Sequence, residues 1–198
     1  MKPSDTGDRY DRIAHLWQRD TPATYGIAAL QRAIRFAAAK GAALDVGCGS
    51  ECRFLRILAD AGFAIEGLDV SARMIELARE MHPTVPFHHA DIATWQPTER
   101  YAFISAWDST FHLPIADQRP VMEKLCDALV PGGVVLFTFG GGPAGEISGS
   151  FHDLDFDYST LGTTAFLSIL ADRGCECRHL EYDQHPENHV FIIAVKDL

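Results

Sequence analysis

Two acidic residues stand at the ends of short apolar segments, and a glycine turn follows the first. Asp45 belongs to segment 42–46, which precedes the turn 47–49, and Asp69 lies near the end of segment 64–70. Glycine lets a backbone approach a ligand closely, and a carboxylate accepts hydrogen bonds from both hydroxyls of a ribose. An acid about 20 residues beyond such a turn strengthens this interpretation. The pattern predicts an adenosine-type cofactor, with a tight structural turn as the alternative.

The turn departs from the dinucleotide-binding fingerprint Gly-x-Gly-x-x-Gly. It reads GCGSEC over residues 47–52, so the third glycine is missing, and Glu51 is poorly suited to lie beside a pyrophosphate. A cofactor without phosphates tolerates this carboxylate better. A nicotinamide-dependent oxidoreductase is therefore only a minor alternative.

Strand and helix signals alternate along most of the chain, which predicts βαβ units and a parallel sheet covered on both faces. The predicted strands are 42–46, 64–70, 85–91, 101–107 and, after a turn at 131–133, 134–139. The predicted helices are 24–41, 53–62, 72–81 with Ser71 as N-cap, and 118–129 with Asp117 as N-cap and Pro120 in the first turn.

The C-terminal region breaks this alternation. A helix is predicted at 164–174, followed by two strands, 177–183 and 189–196, with only a short polar turn between them. A turn that short permits only an antiparallel hairpin. We therefore expect an α/β three-layer sandwich with a mostly parallel, seven-stranded sheet and one antiparallel strand near the C-terminus.

Composition predicts a single domain over 1–198, because 198 residues suit one compact core. The net charge of −10 disfavours a nucleic-acid partner. No apolar run approaches the roughly 20 residues of a membrane span, and the N-terminus lacks a signal-peptide pattern. We expect a cytoplasmic monomer or homodimer with no membrane partner. The five cysteines match neither a disulfide framework nor a complete zinc site.

Four motifs occur in order between about residues 42 and 139: LDVGCGS, GLDVSARMIELAR, FHHADI and LVPGGVVLFTF. Through them the chain resembles the class I S-adenosylmethionine-dependent methyltransferases, and the terminal hairpin fits the reversed strand of their Rossmann-like sheet. Stretches 104–114 and 177–194 resemble more narrowly a bacterial group of small, poorly characterised members. The resemblance implies methyl transfer from S-adenosylmethionine to a small-molecule acceptor. A binding protein with little or no transferase activity is the alternative.

The resemblance also implies the cofactor-binding residues. The glycine turn would face the methionine part, Asp69 would hold the ribose, and other side chains would flank or read the adenine; a helical cap within 1–40 would fold over them. Glu51 replaces the family's usual third glycine, so it would either crowd the methionine end or attract its cationic groups. The implied set is Tyr10, Trp17, Asp45, Gly47, Cys48, Gly49, Ser50, Asp69, Val70, Met74, Asp91, Ile92 and Trp107.

Methyl transfer to a hydroxyl or an ammonium group needs a base to take the proton. His112, just past the fourth predicted strand, is the candidate, with Asp108 orienting it or contacting the substrate. The alternative is that His112 caps the next helix or packs against the cofactor.

Two further segments are expected at the same sheet edge. The first is a glycine-rich loop, 140–162, and the second is the hairpin tip, 181–189. For each side chain the alternative is a solvated polar turn. We expect no metal, because His152, His185, His189 and Asp183 lack a spacing that organises a site. The predicted substrate residues are Glu146, His152, Tyr158, Tyr182 and His185, with Asp183 and His189 nearby.

Overall fold

The computed structural model describes residues 2–20 and 22–198. The strands are β1 (Ala42–Val46), β2 (Ala64–Asp69), β3 (Phe87–His89), β4 (Tyr101–Ala106), β5 (Leu129–Gly140), β6 (Gly145–Phe151), β7 (Leu154–Thr160), β8 (Cys175–Glu181) and β9 (His189–Lys196). The helices are α1 (Pro3–Asp20), α2 (Ile27–Ile34), α3 (Arg53–Asp60), α4 (Ala72–Met81), α5 (Ile115–Asp127) and α6 (Thr163–Asp172). No helix within the described residues has both the length and the apolar character needed to cross a membrane.

Seven strands form one sheet in the order β3-β2-β1-β4-β5-β9-β8. The pairs among β1 to β5 are parallel, whereas β9 is antiparallel to both of its neighbours. The predicted sheet, with its single reversed strand near the C-terminus, is confirmed. The three-layer arrangement follows from the period of two along a strand. In β5, Val135 and Phe137 pack with α5 and α6, while Val134 and Leu136 pack with α2 and α3.

Helix α2 is shorter than the predicted 24–41. It begins after Gly26, whose φ is +75°, and it ends at Ile34. Beyond that point the N–H of Phe36 bonds the carbonyl of Ala33, a tighter turn, and the N–H of Ala38 bonds the carbonyl of Gly132. The groups that would have extended the helix are therefore committed elsewhere.

The predicted start of helix α5 was wrong. The helix begins at Ile115, so Asp117 lies in its first turn and Pro114 occupies the N-cap position without a side-chain hydrogen bond. Pro120 consequently lies inside the helix and not in its first turn. Ser71, by contrast, caps α4 as predicted, because its hydroxyl accepts the N–H of Met74 at 3.1 Å.

Two segments predicted to be irregular are strands. The turn predicted at 131–133 is a bulge within β5, where the pairing register with β4 shifts and Gly132 has a φ of +72°. The loop predicted at 140–162 is a two-stranded antiparallel hairpin, β6 and β7, separate from the main sheet. Its alternating polar and aromatic residues are typical of a strand with one covered face.

Candidate functional site

A pocket opens at the carboxyl ends of β1, β2 and β4, the edge at which ligands bind in open α/β sheets. It encloses about 970 Å³ of empty space, including its open mouth, and helix α1 forms part of its wall. The pocket contains twelve of the thirteen predicted cofactor residues and both predicted catalytic residues. Those lining it are Tyr10, Trp17, Asp45, Gly47, Cys48, Gly49, Asp69, Val70, Met74, Asp91, Ile92, Trp107, Asp108 and His112.

The glycine turn presents bare backbone to the pocket. Gly47 and Gly49 have φ values of +74° and +61°, in the region that favours glycine. A Cβ on Gly47 would lie 2.3 Å from the Cβ of Ser109, so no side chain fits there. The N–H groups of Gly47 and Cys48 both donate to the carbonyl of Leu68, at 2.7 and 3.1 Å, which fixes the turn against β2.

Asp69 ties the glycine turn to the end of β2. Its Oδ2 accepts the N–H of Gly49 and its Oδ1 accepts the N–H of Ser71, each at 2.9 Å. The side chain is buried, and burial raises the pKa of Asp69, against the opposing effect of these N–H donors. A carboxylate has about four acceptor positions, so Asp69 can accept a further donor.

Asp45 lies beneath the turn rather than acting as a free carboxylate. The hydroxyl of Ser105 donates to its Oδ1 at 2.6 Å. Complete burial raises the pKa of Asp45 to about 7, while the Ser105 hydrogen bond and the charge of Arg53 lower it. This residue therefore links β1 to β4 and organises the floor of the pocket.

The opposite side of the pocket is largely apolar. Ile92 and Met74 are buried there beside Val70. Asp91 accepts the N–H of Ala93 at 2.8 Å, which closes the turn after β3. A flat apolar slot with one carboxylate at its rim suits a heteroaromatic base with an amino donor.

The carboxylate of Asp11 holds helix α1 over the pocket by hydrogen bonds. Oδ1 of Asp11 accepts the hydroxyl of Ser71 at 2.5 Å and the N–H of Arg73 at 3.0 Å, at the N-terminus of α4. This contact joins residues about 60 positions apart in the chain. It explains why Tyr10 and Trp17 reach the pocket.

His112 pairs with Tyr10 and not with Asp108. Its Nδ1 donates to the carbonyl of Asp157 at 3.2 Å, and its Nε2 lies 2.9 Å from the hydroxyl of Tyr10. The carbonyl can only accept, so Nε2 is the unprotonated nitrogen and accepts the Tyr10 O–H. Burial lowers the pKa of His112 to about 4. Both ring nitrogens of His112 are engaged by these groups, so Asp108 does not orient it through a direct hydrogen bond, and contact of Asp108 with the substrate stays a prediction.

Asp108 is held by a different set of residues. Its Oδ1 lies 2.9 Å from Nε2 of His189 and 3.2 Å from the hydroxyl of Thr138, and its Oδ2 accepts the hydroxyl of Tyr25 at 2.7 Å. The other His189 nitrogen lies 2.5 Å from Asp183. The backbone of Asp108 has a φ of +51°, an uncommon conformation for a non-glycine residue.

The β6–β7 hairpin covers the His112 side of the pocket with aromatic rings. Phe156 is fully buried between Tyr10 and His112, with ring centroids at 5.0 and 5.4 Å. Phe151 lies 6.0 Å from the ring of Trp17. The hairpin and α1 therefore form one aromatic cover.

None of the five predicted substrate residues is among the residues that line this pocket. Tyr158 lies behind His112, with ring centroids 4.9 Å apart, and exposed Glu146 accepts the N–H of Ile115 at 3.4 Å. Tyr182 donates to the carbonyl of Gly141 at 3.0 Å. His152 lies at the hairpin turn and His185 is in the exposed turn between β8 and β9.

Two residues of the glycine motif also lie outside the lining. Ser50 is fully buried below the turn, and its hydroxyl has no hydrogen-bond partner among the described residues. Glu51 is half-buried and does not line the pocket. The carboxylate that replaces the usual glycine therefore does not crowd the cavity.

Several residues that line the pocket were not predicted from the sequence. Arg53 and Phe54 begin α3 directly after the glycine turn, and this adjacency was a usable signal. Ser109 packs against Gly47, a contact with no local sequence signal, and its buried hydroxyl has no partner among the described residues. The residues missed include Pro3, Thr6, Arg53, Phe54, Ser109, Thr110 and Leu113. Within the described ranges, no group of three or more His, Cys, Asp or Glu side chains is arranged to hold a metal ion.

The fold and the pocket define a class. A S-adenosylmethionine-dependent methyltransferase from Clostridium acetobutylicum superposes with a TM-score of 0.74 at 12% identity, covering 96% of this chain and 99% of that one. CalS10, an amino pentose methyltransferase from Micromonospora echinaspora, gives a TM-score of 0.69 at 18% identity, covering 92% of this chain and 95% of that one. The fold is that of the Rossmann-like methyltransferases.

Sequence comparison adds the family. A family model described as a methyltransferase domain matches residues 17–145, and the chain belongs to this family. Trans-aconitate 2-methyltransferase of Rhizobium etli is 38% identical over 97 residues, 47% of this chain and 36% of that protein. A dTDP-3-amino-3,6-dideoxy-alpha-D-glucopyranose N,N-dimethyltransferase of Streptomyces fradiae is 34% identical over 95 residues, 47% of this chain and 37% of that protein. The chain thus matches little more than a third of the length of these curated relatives.

Proposed function

We propose that this protein transfers a methyl group from S-adenosylmethionine to a small-molecule acceptor. The observation that carries the proposal is the bare glycine turn hydrogen-bonded to Asp69 at one edge of a pocket that ends in an apolar slot. The family match and the fold of structural neighbours support it.

The residues present fit this cofactor. Gly49 leaves space beside Trp17 that a side chain would fill, and the buried Ser109 hydroxyl has no hydrogen-bond partner among the described residues. Asp69 would hold the ribose hydroxyls. Asp91 would accept the amino group of the adenine.

S-adenosylmethionine, when bound, supplies a methyl group on a positively charged sulfur, so the chemical activation comes from the cofactor. The protein's main task is then to align the acceptor in a water-poor pocket. We propose that α1 and the β6–β7 hairpin exclude water from this side. Tyr10, whose O–H is donated to His112, would orient the acceptor by accepting a hydrogen bond at its hydroxyl oxygen.

His112 is neutral at pH 7, because burial lowers its pKa to about 4. A base with so low a pKa holds a proton weakly. We therefore propose that His112 receives a proton only from an acceptor that loses it readily, and otherwise serves to position Tyr10. An anionic acceptor needs no base.

Calorimetry tests the cofactor. The protein should bind S-adenosylhomocysteine and not NAD, and D69A should abolish that binding. Failure to bind S-adenosylhomocysteine at millimolar concentration would overturn the proposal. Release of the methyl group with a panel of small acceptors then separates an active transferase from a protein that only binds the cofactor.

We also propose a cytoplasmic location and an acceptor other than nucleic acid. The five free cysteines support the location, because thiols stay reduced in the cytosol. The net charge of −10 supports the choice of acceptor. Fractionation of the native host and a methylation assay with RNA and DNA test these two statements.

A further inference from the structure

The imidazole of His189 lies between two carboxylates at the wall of the pocket. Its Nε2 is 2.9 Å from Oδ1 of Asp108, and its Nδ1 is 2.5 Å from Oδ1 of Asp183. All three side chains are at most one-fifth exposed. Only a doubly protonated imidazole can donate to both carboxylates at once.

The charges of Asp108 and Asp183 favour the doubly protonated form of His189. Burial lowers the pKa of His189, but the hydrogen bonds and negative charges of Asp108 and Asp183 outweigh it, so the pKa is raised above its ordinary value. Two carboxylates then share one imidazolium. A net negative charge remains beside the pocket.

Asp108 keeps one lone pair for a ligand. Its Oδ1 receives His189 and the hydroxyl of Thr138, while its Oδ2 receives only the hydroxyl of Tyr25. A carboxylate has about four acceptor positions, of which three are used. Asp108 lines the pocket, whereas His189 and Asp183 do not.

Asp108 precedes a residue that packs on the glycine turn. The next residue, Ser109, packs so closely on Gly47 that a Cβ there would be 2.3 Å away, and its buried hydroxyl has no partner among the described residues. The pocket-lining Arg53 donates its Nε to the carbonyl of Tyr25 at 3.0 Å. Asp108 and Arg53 therefore both line the pocket and both contact Tyr25. Their charges are complementary to the ammonium and the carboxylate of an amino acid.

We propose that His189 is a positioning residue that holds Asp108 at the pocket wall, where Asp108 receives the ammonium group at the amino-acid end of the bound nucleoside. The inference rests on the proposed function, since it assumes a nucleoside that carries an amino acid. Charge-assisted hydrogen bonds of this kind are shorter and stronger than neutral ones.

The test compares two ligands that differ only at this end. S-adenosylhomocysteine carries the amino acid, whereas 5′-methylthioadenosine has the same nucleoside without it. Calorimetry should show that D108N weakens S-adenosylhomocysteine roughly tenfold or more, the loss expected for one hydrogen bond between charged groups. Binding of 5′-methylthioadenosine should change by less than about twofold, which also shows that the variant is folded.

Two further variants test the role of His189. H189Q should weaken S-adenosylhomocysteine by about fivefold, because its amide donates to only one carboxylate and turns its oxygen toward the other. Adding D183N gives that oxygen an N–H donor and should restore most of the affinity. H179Q is the matched control, since His179 lies on β8 outside the pocket lining and bonds Glu181 and Arg32.

Equal losses for the two ligands in D108N, or no recovery in the H189Q/D183N double variant, would overturn the inference. A wild-type protein that binds neither ligand would instead overturn the proposed function. The two failures are therefore distinguishable in one set of titrations.

Discussion

On the β1–β2 side of the pocket the polar contacts are made largely by backbone, within about 20 residues, whereas on the β4 side they join side chains far apart in the chain. Asp69 receives N–H groups from Gly49 and Ser71. His112, in contrast, bonds Tyr10 across 102 positions, and Asp108 bonds His189 across 81. A short motif builds the first side, whereas the second side depends on how distant elements dock.

The backbone groups and the side chains of the pocket suit different ligands. Backbone groups on adjacent strands are held by the sheet itself, so they suit a ligand that never changes. Side chains from α1 and the β6–β7 hairpin lie outside the main sheet, so they can differ without disturbing it and suit contact with an acceptor. The variants below test whether the two sides behave independently.

The largest expected effect is at the glycine turn. G47A places a Cβ 2.3 Å from Ser109 at a φ of +74°. Overpacking and left-handed strain together should lower the free energy of unfolding by about 4 kcal/mol and abolish S-adenosylhomocysteine binding. Urea denaturation measures the loss. G49A is the control, since its Cβ would meet only Nε1 of Trp17, at 3.6 Å; equal losses in both would refute the packing argument.

The next effect concerns His112 on the β4 side. Its native pKa is about 4, while an unfolded histidine titrates near 6.5, so between these pH values only the unfolded chain takes up the proton. The stability from neutral His112 is present above about pH 6.5 and falls by about 3 kcal/mol as the pH drops to 4.

The control for this prediction is H112Q, measured by urea denaturation at pH 7.5 and pH 4. Asp45, with a pKa of about 7, changes stability in the opposite direction over the same range, so only the difference between wild type and variant isolates His112. Parallel pH curves for the two proteins would show that His112 is not a buried neutral base.

A smaller effect is expected from D69N on the nucleoside side. The amide turns a donor toward the N–H of Gly49 or Ser71 and removes the charge offered to the ribose. S-adenosylhomocysteine should bind roughly thirtyfold more weakly, about 2 kcal/mol. Calorimetry checks this against D60N, on the exposed end of α3. An unchanged affinity in D69N would remove Asp69 from the cofactor site.

The smallest effect is expected from Y10F. It removes the hydroxyl that bonds Nε2 of His112 and should lower the free energy of unfolding by about 1 kcal/mol. Affinity for S-adenosylhomocysteine should stay within about twofold, while methyl transfer slows. A large loss of cofactor affinity would instead place the Tyr10 hydroxyl in the cofactor site.

Much of the fold was predictable because its signals are local. Apolar runs of five or six residues, separated by segments with helical period, predicted β1, β2, β4 and β5. Ser71 predicted the start of α4. The errors fall where a tertiary contact overrides the local pattern. The carbonyl of Gly132 captures an N–H just beyond α2, and the 140–162 segment gains strand structure by packing Phe156 under α1.

The sequence by itself determined the sheet, its one reversed strand and the edge where the glycine turn meets Asp69. These depend on period, turn length and glycine, which act over a few residues. Only the tertiary structure decided that His112 pairs with Tyr10, that Asp108 pairs with His189, and that Glu51 stays out of the cavity. These pairings join segments far apart in the chain, so no local sequence pattern predicts them. The partner of each buried polar group is decided by how the elements pack together.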